Sequence, residues 1–355
     1  MADATAIQPD REFLKRVVAS GGGDLKKCYQ CATCAVVCEL SPEGSPFPRK
    51  QMIEAQWGLK DRVVSDPAIW LCHNCGECTQ QCPRGARPGD VFGALRREAI
   101  LHFAFPRFLG ALVANPKNLP LVFLLPALIF AAMALWAPKP VPAPPFEFGS
   151  VFPISALEPL FFAVSGFALL AFLVGMMRFA RGLPGNGLRE GYPHALAEIG
   201  SNRRFATCGD SSMRVAHLLA MWGFIGLAVV GTATGIGTMF GVLRTPLSLA
   251  SPLKIFANLC ALAALAGMTL LEFRRFRKTG TYFDWFLIST LGGVVFTGIL
   301  SELLRLAQTS VMYEMYFVHL VLVFALLLYA PYSKFAHLAY RTVAMAMFAK
   351  QPQGS

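Results

Sequence analysis

Residues 28–38 read CYQCATCAVVC, and residues 72–83 read CHNCGECTQQCP. Each run spaces four cysteines as C-x2-C-x2-C-x3-C: Cys28, Cys31, Cys34 and Cys38, then Cys72, Cys75, Cys78 and Cys82. Two-residue gaps let three thiolates converge from one tight loop onto one face of a cube. The fourth cysteine, three residues further on, is expected to start a helix that carries it away. This is the ligand spacing of a [4Fe-4S] cluster, and it occurs twice. Structural zinc takes pairs of CxxC rather than four cysteines in one run. Pro83 follows the second run and Glu39 the first, which affects the local turn and not the number of ligands.

In two-cluster ferredoxins the fourth cysteine of each run ligates the other cluster. On that pattern Cys28, Cys31, Cys34 and Cys82 hold one cluster, and Cys72, Cys75, Cys78 and Cys38 hold the second. Between the runs, PRKQMIEAQWGL (48–59) reads as helix, and Ser65-Asp66-Pro67 supplies cap and first-turn residues for a short helix into Cys72. Arg84, Arg87, Arg96 and Arg97 make the exit from the second run basic. They suit a docking partner, lipid headgroups or a solvated helix face.

Beyond these runs the composition is that of a membrane protein. The 355 residues are 55% hydrophobic and 15% charged, with a mean hydropathy of +0.49, too apolar for a soluble chain of this length. Residues 1–105 form a polar, cysteine-rich module, and 106–345 read as a transmembrane domain. Six spans are expected, at about 119–136, 156–177, 213–240, 252–273, 283–304 and 315–340, each near the ~20 residues that cross a bilayer. The first is interrupted by Pro126, and the Pro-rich segment APKPVPAPPFEFG separates it from the second. The N-terminal 20 residues lack the apolar stretch of a signal peptide, so the module is expected in the reducing cytoplasm of a multi-pass inner-membrane protein. From Arg96 onward, segments on that side carry 17 Lys and Arg, and the opposite side carries four: Lys139, Arg244, Lys254 and Arg305. That asymmetry follows the positive-inside rule. It also accounts for the net charge of +11 without nucleic acid as a partner.

Histidines supply the second set of candidate ligands. His217, His319 and His337 fall within the expected spans, where ionisable side chains are scarce and usually functional. On one continuous helix, His319 and His337 stand five turns apart on the same face, about 27 Å along the axis. That separation suits two haems stacked across a bilayer. Spans three and six are antiparallel, which places His217 and His337 at similar depth near the cytoplasmic side. They are read as the axial ligands of one haem b, a bis-His arrangement with no open site for oxygen. The position opposite His319 is Leu227, not a histidine. His319 therefore has three readings: ligand of a second haem, quinone contact, or a histidine packed against a neighbouring helix. His73, His102 and His194 read as surface or tuning residues, with His194 a reserve ligand. Cys260 reads as a small apolar residue, Cys208 has no motif partner, and the glycine-rich GTATGIGTMFG reads as close helix packing rather than a phosphate loop.

CYQCATCAVVC together with DPAIWLCHNCGECTQQCPRGARPGD resembles the iron–sulfur C subunits of heterodisulfide reductases. HLLAMWGFIGL and the His319/His337 pair resemble the haem b-binding E subunits of those enzymes and the gamma subunit of respiratory nitrate reductase. Fusion of the two parts is similar to the C subunits in the family of quinone-interacting membrane-bound oxidoreductases (Qmo). The resemblance implies an α-helical fold, a two-cluster ferredoxin-like module joined to a six-helix transmembrane haem b bundle. It implies cytoplasmic partners like the flavin- and Fe-S-containing Qmo subunits A and B and, beyond them, adenylylsulfate reductase.

The expected function is that of a membrane electron-transfer subunit. It links the quinone pool, one or two b haems, two [4Fe-4S] clusters and soluble redox subunits. The alternative is the membrane component of a different heterodisulfide-reductase-like complex with another soluble acceptor. Candidate quinone contacts are His319, Glu302, Arg305, Tyr313 and Glu314. A self-contained disulfide reductase is disfavoured because all eight module cysteines are needed as ligands. A non-redox transporter is disfavoured by the lack of mid-span charges and by the histidine pair.

Overall fold

The computed structural model describes residues 8–41, 45–136, 144–183, 188–203, 205, 211–276 and 281–348. Cys208, and Lys139, Arg204, Arg277, Lys278 and Lys350 of the charge count, lie outside the described residues. Within them the secondary structure is helical, with no β-strand.

The module comprises α1 (Arg11–Val17), α2 (Thr33–Val36), α3 (Arg49–Gln56), α4 (Lys60–Ser65), α5 (Ala68–Leu71), α6 (Glu77–Gln80) and α7 (Pro88–Phe103). The Asp10 side chain accepts from Phe13 N at 2.8 Å and starts α1. Asp66 Oδ1 does the same for Ala68 N at the head of α5. Helix α7 is the spine of the module: Val91, Phe92, Ala94, Leu95, Ala99 and Ile100 are buried against Phe13, Val17, Met52, Val63 and Trp70. Glu98 on α7 is buried, and it joins Arg16 of α1 and Arg97, each at 2.8 Å. A buried carboxylate is tolerable only with such partners.

Short α8 (Arg107–Ala114) leads into α9 (Leu119–Trp136), α10 (Ile154–Arg181), α11 (Leu188–Ser201), α12 (Ser211–Met239), α13 (Pro252–Phe276), α14 (Tyr282–Leu306), α15 (Met312–Tyr329) and α16 (His337–Phe348). Among the described residues six helices are long and apolar enough to cross a membrane: α9, α10, α12, α13, α14 and α15. The most hydrophobic stretch of α15 is 56% buried, whereas the other five reach 17–33%. Helix α15 is thus the centre of the bundle, and the outer helices turn Leu128, Leu169, Val229, Leu259 and Phe296 outward, as lipid-facing surfaces require. Helices α12 and α13 form the most intimate pair.

The sixth span departs from expectation. In place of one helix over 315–340, α15 ends at Tyr329. Two 3-10 turns, Ala330–Tyr332 and Lys334–Ala336, intervene before α16 begins at His337. Pro331 brings no N–H to an α-helical ladder, and its ring clashes with the preceding turn. Ser333 Oγ then accepts from Phe335 N at 3.2 Å and starts the new segment. His319 and His337 therefore lie on separate helices, and the five-turn spacing and the shared face do not apply.

Helix α16 turns back onto the module. Tyr340, Val343, Ala344 and Met345 share one buried core with Trp70, Phe103 and Phe179. Trp70 stacks on Tyr340 at 5.0 Å and 21°. Arg178 near the end of α10 donates to the carbonyl of Ala104 at 2.8 Å, and Tyr332 Oη donates to that of Phe105 at 2.7 Å. The module is thereby seated on the end of the bundle formed by the close of α10 and the starts of α12 and α14.

Candidate redox centres

The two cysteine loops share one backbone. Gln30 and Ala32 have φ of 69° and 68°, and the equivalent Asn74 and Gly76 have 56° and 98°. Two left-handed residues in each loop turn three successive thiols to one side. For Gln30 and Ala32 that conformation costs roughly 1–2 kcal/mol each, a strain of the kind that accumulates at functional sites. Helices α2 and α6 follow, carry Cys34 and Cys78 within them, and pack against each other. The helix of each run thus contains the third cysteine and delivers the fourth beyond its end, rather than starting at the fourth.

This arrangement crosses the two runs. Cys38 lines a cavity of about 390 Å³ with Cys72, Cys75 and Cys78, walled by Val37, Leu40, Phe47, Pro48 and Phe92. Cys82 lines a narrower cleft with Cys28, Cys31 and Cys34. Among the described residues no three His, Cys, Asp or Glu side chains close on a point where a single metal ion would sit. Four thiols around a cavity suit a larger group. The sulfurs also receive hydrogen bonds: Gln30 Nε2 donates to Cys28 Sγ at 3.3 Å, Asn74 N to Cys72 Sγ at 3.3 Å and Ala86 N to Cys82 Sγ at 3.4 Å. Burial pushes the thiols of Cys34 and Cys38 up to about 11 and that of Cys78 higher still. Cys31 is exposed, and its hydrogen bonds with Thr33 lower it. Buried thiols become thiolates only where a cation compensates them, as iron does.

The arginines after the second run are engaged within the protein. Arg96 donates to the carbonyls of Ile69 at 2.7 Å and Cys72 at 2.9 Å, so it caps the end of α5 and fixes the first cysteine of the loop. Arg97 donates to the Ala114 carbonyl at 3.1 Å and lies over the Phe283 ring. Arg87 pairs with Asp90, and Arg84 lies over Tyr29.

Below this module sit His217 on α12 and His337 at the head of α16, on segments that meet where Phe224 of α12 packs against Phe335 at 5.6 Å. His337 Nδ1 donates to the Lys334 carbonyl at 2.7 Å. The Asn202 side-chain amide lies 3.2 Å from His217 Nδ1, and a half-turn of that amide sets Oδ1 in the same place. His319 Nδ1 lies 3.1 Å from Thr297 Oγ1, whose own proton goes to the Gly293 carbonyl at 2.6 Å. The hydroxyl therefore accepts from the ring. For each of the three, Nε2 makes no hydrogen bond among the described residues. A histidine tied at Nδ1 with Nε2 open is the usual posture of a metal ligand. His319 also lies flat against α14, where a Cβ at Gly298 would stand 3.0 Å from ring Cε1.

Of the other candidate contacts, Glu302 pairs with Lys254 of α13 at 2.5 Å, and its Oε1 is buried with no hydrogen-bond partner among the described residues, as is Ser301 Oγ. Tyr313 bonds Ser150 at 2.8 Å and belongs to the core formed with α9 and α10. It stands six residues, roughly 240° around the helix, from His319. Glu314 is exposed and Arg305 half-buried. His102 and His194 stand apart from the histidine pair, His194 exposed on α11. Asn202, Thr297, Ser301 and Lys254 join the candidate residues from the structure alone.

Residues 24–86 match the 4Fe-4S dicluster domain family. The chain is similar to the C subunit of the H(2):CoB-CoM heterodisulfide,ferredoxin reductase of Methanothermobacter thermautotrophicus, with 42% identity over 91 residues, 25% of this chain and 49% of that protein. It is also similar to a protein of Archaeoglobus profundus that is itself like the C subunit of heterodisulfide reductase, at 33% over 98 residues, 27% of this chain and 52% of that protein. The chain thus spans about half the length of these relatives. Citrate utilization protein B of Escherichia coli is 26% identical over 314 residues, 79% of this chain and 80% of that protein. A match of that length extends from the cysteine module well into the membrane helices. No solved structure matches.

Proposed function

We propose that the chain is a membrane electron conduit between the quinone pool and soluble redox subunits. The observation that carries this reading is the crossed grouping of the eight cysteines above the His217/His337 pair. Cys28, Cys31, Cys34 and Cys82 would hold one [4Fe-4S] cluster, and Cys38, Cys72, Cys75 and Cys78 the other. His217 and His337 would hold one haem b through Nε2. When bound, these groups supply one-electron carriers. The chain's own residues place them and set their surroundings. Phe47, Phe92 and Val37 exclude water from one cluster position. Lys334 and Arg275, paired with Asp284, put positive charge at the module end of the bundle, and the excess of Lys and Arg there favours the cytoplasmic side.

The quinone end belongs in the far half, at His319 with Ser301 and Glu302. Ser301 Oγ and Glu302 Oε1, about one turn along α14 from Thr297, are buried with no partner among the described residues, and a quinone oxygen would satisfy one of them. If His319 instead holds a second haem, the same tethered Nδ1 serves it.

The fused layout resembles the Qmo C subunits, and on that resemblance the soluble partners would be like Qmo subunits A and B, with adenylylsulfate reductase beyond. The likeness to citrate utilization protein B over 79% of the chain favours a second reading, in which the same conduit serves a soluble partner in citrate utilization.

Iron and acid-labile sulfide assays with a pyridine haemochrome spectrum of the purified chain test the conduit. Two four-iron clusters and at least one haem b per chain are expected, and absence of haem b overturns it. Loss of the same haem in His217→Ala and His337→Ala is expected, and His319→Ala that alone removes it refutes the pairing. Retained haem with lost quinol oxidation in His319→Ala places the quinone there.

A further inference from the structure

We infer that the centre walled by Cys38, Cys72, Cys75 and Cys78 is the membrane-side cluster position, and that Arg341 positions His73 as its link to His217; this rests on the conduit reading. His73 follows Cys72 and lines the same cavity. The Arg341 guanidinium lies 2.6 Å from His73 Nδ1. A guanidinium only donates, so Nδ1 is the acceptor and the ring is held in one orientation. Arg341 stands one helical turn after His337, so the side chain that holds His73 shares a face of α16 with a proposed haem ligand.

The ring path is contiguous. His73 lies 5.5 Å from Phe205, and Phe205 lies 5.3 Å from His217, centroid to centroid. Trp70, two residues before Cys72, stacks on Tyr340, the neighbour of Arg341. The other cysteine set differs. Among the described residues its cleft is lined by 28–34, Arg49, Cys82, Arg84, Ala86 and Pro88, with none from α16; Cys31 is exposed, and Tyr29 beside it is 59% exposed. One centre therefore faces the bundle through His73 and α16, and the other faces away from it.

The guanidinium of Arg341 adds positive charge between one cluster position and the histidine pair. Removing that charge disfavours the reduced form of whatever sits on either side. Arg84 lines the opposite cleft and serves as the reference. Redox titrations of the full chain in detergent, monitored by EPR for the clusters and by absorbance for haem, decide the order. Arg341→Gln is expected to shift one cluster signal and the haem to lower potential, and Arg84→Gln to shift the other cluster signal alone. Arg341→Lys, which keeps the charge, is expected to hold both potentials near wild type. His73→Phe keeps a ring while deleting the acceptor, and slows haem reduction from the clusters without removing either cluster. The inference is overturned if Arg341→Gln moves the same signal as Arg84→Gln, or neither. If wild type lacks haem, the conduit reading fails, while the cluster signal that answers to Arg341 still decides which centre faces the bundle.

Discussion

Replacing Gly267 by alanine should part α12 from α13 and loosen the site at His217. The two helices meet through small residues: Ala216, Ala220, Gly223 and Gly226 on α12, and Cys260, Ala264 and Gly267 on α13. A Cβ at Gly267 would stand 2.3 Å from Ala220 N and 2.8 Å from Ala216 O, both backbone atoms that cannot rotate away. Ordinary contact begins at 3.4 Å, so the helices must separate by roughly 1 Å, an overpacking that costs about 1–3 kcal/mol. Ala220 lies one turn from His217, so the displacement reaches the ring directly. With the full chain in detergent, we expect Gly267→Ala to lower the Tm by a few degrees, to lower haem per chain, and to leave cluster iron unchanged. Gly231 on α12 is the control, since a Cβ there meets nothing within 4 Å. Gly231→Ala should be silent or slightly stabilising, because alanine is the better helix former by roughly 0.5–1 kcal/mol. If Gly267→Ala matches Gly231→Ala in Tm and haem content, the close approach of α12 and α13 is wrong.

Crossed cysteine grouping predicts that Cys38→Ser alters the same EPR signal as Cys75→Ser, and Cys82→Ser the same as Cys31→Ser; the opposite pairing refutes it. Arg96→Met removes two charge-assisted bonds, each worth about 1.5–3 kcal/mol, from the Ile69 and Cys72 carbonyls. Faster iron loss to a chelator from one cluster is expected, and equal loss from both would count against a local role. Burial, with Asp66 nearby, raises the Glu54 carboxyl above its ordinary value against Lys50 and Arg62, and its Oε2 has no hydrogen-bond partner among the described residues. For a raised carboxyl the stability contribution is intact below the unfolded pKa and is lost as pH rises from there through the folded pKa. Glu54→Gln should therefore raise the Tm more at pH 7 than at pH 4, and an equal gain at both would show that charge is not the cause.

The parts of this molecule that are legible in its sequence are those set by neighbours along the chain. Cysteine spacing fixes each loop within eleven residues, and α9 runs over the same 119–136 as its hydrophobic stretch. The sixth span misleads because LLLYAPY keeps its apolar character through Pro331, and hydropathy outweighs a backbone signal that is present in Pro331 and Ser333. Within the glycine-rich run Gly235 meets Phe162 of α10 and Gly237 meets Leu243, but the close contacts between α12 and α13 fall earlier, at Gly223 and Gly226, while Gly231 faces open space. Nothing local marks the joints. Arg341 and His73 are 268 residues apart, and Asn202 and His217 are 15 apart, at the ends of different helices. Arg96 and Arg97 read as a basic surface until α7 is folded, when carbonyls of Ile69, Cys72 and Ala114 turn out to be their partners. An electron conduit has this character by necessity. Each ligand set is local and can be written as a motif, whereas the distance between one set and the next depends on which helix face meets which. The break at Pro331 makes the point concrete, because it removes His337 from the membrane helix of His319 and turns α16 onto the module. There the helix that carries His337 also carries the arginine that holds the neighbour of Cys72.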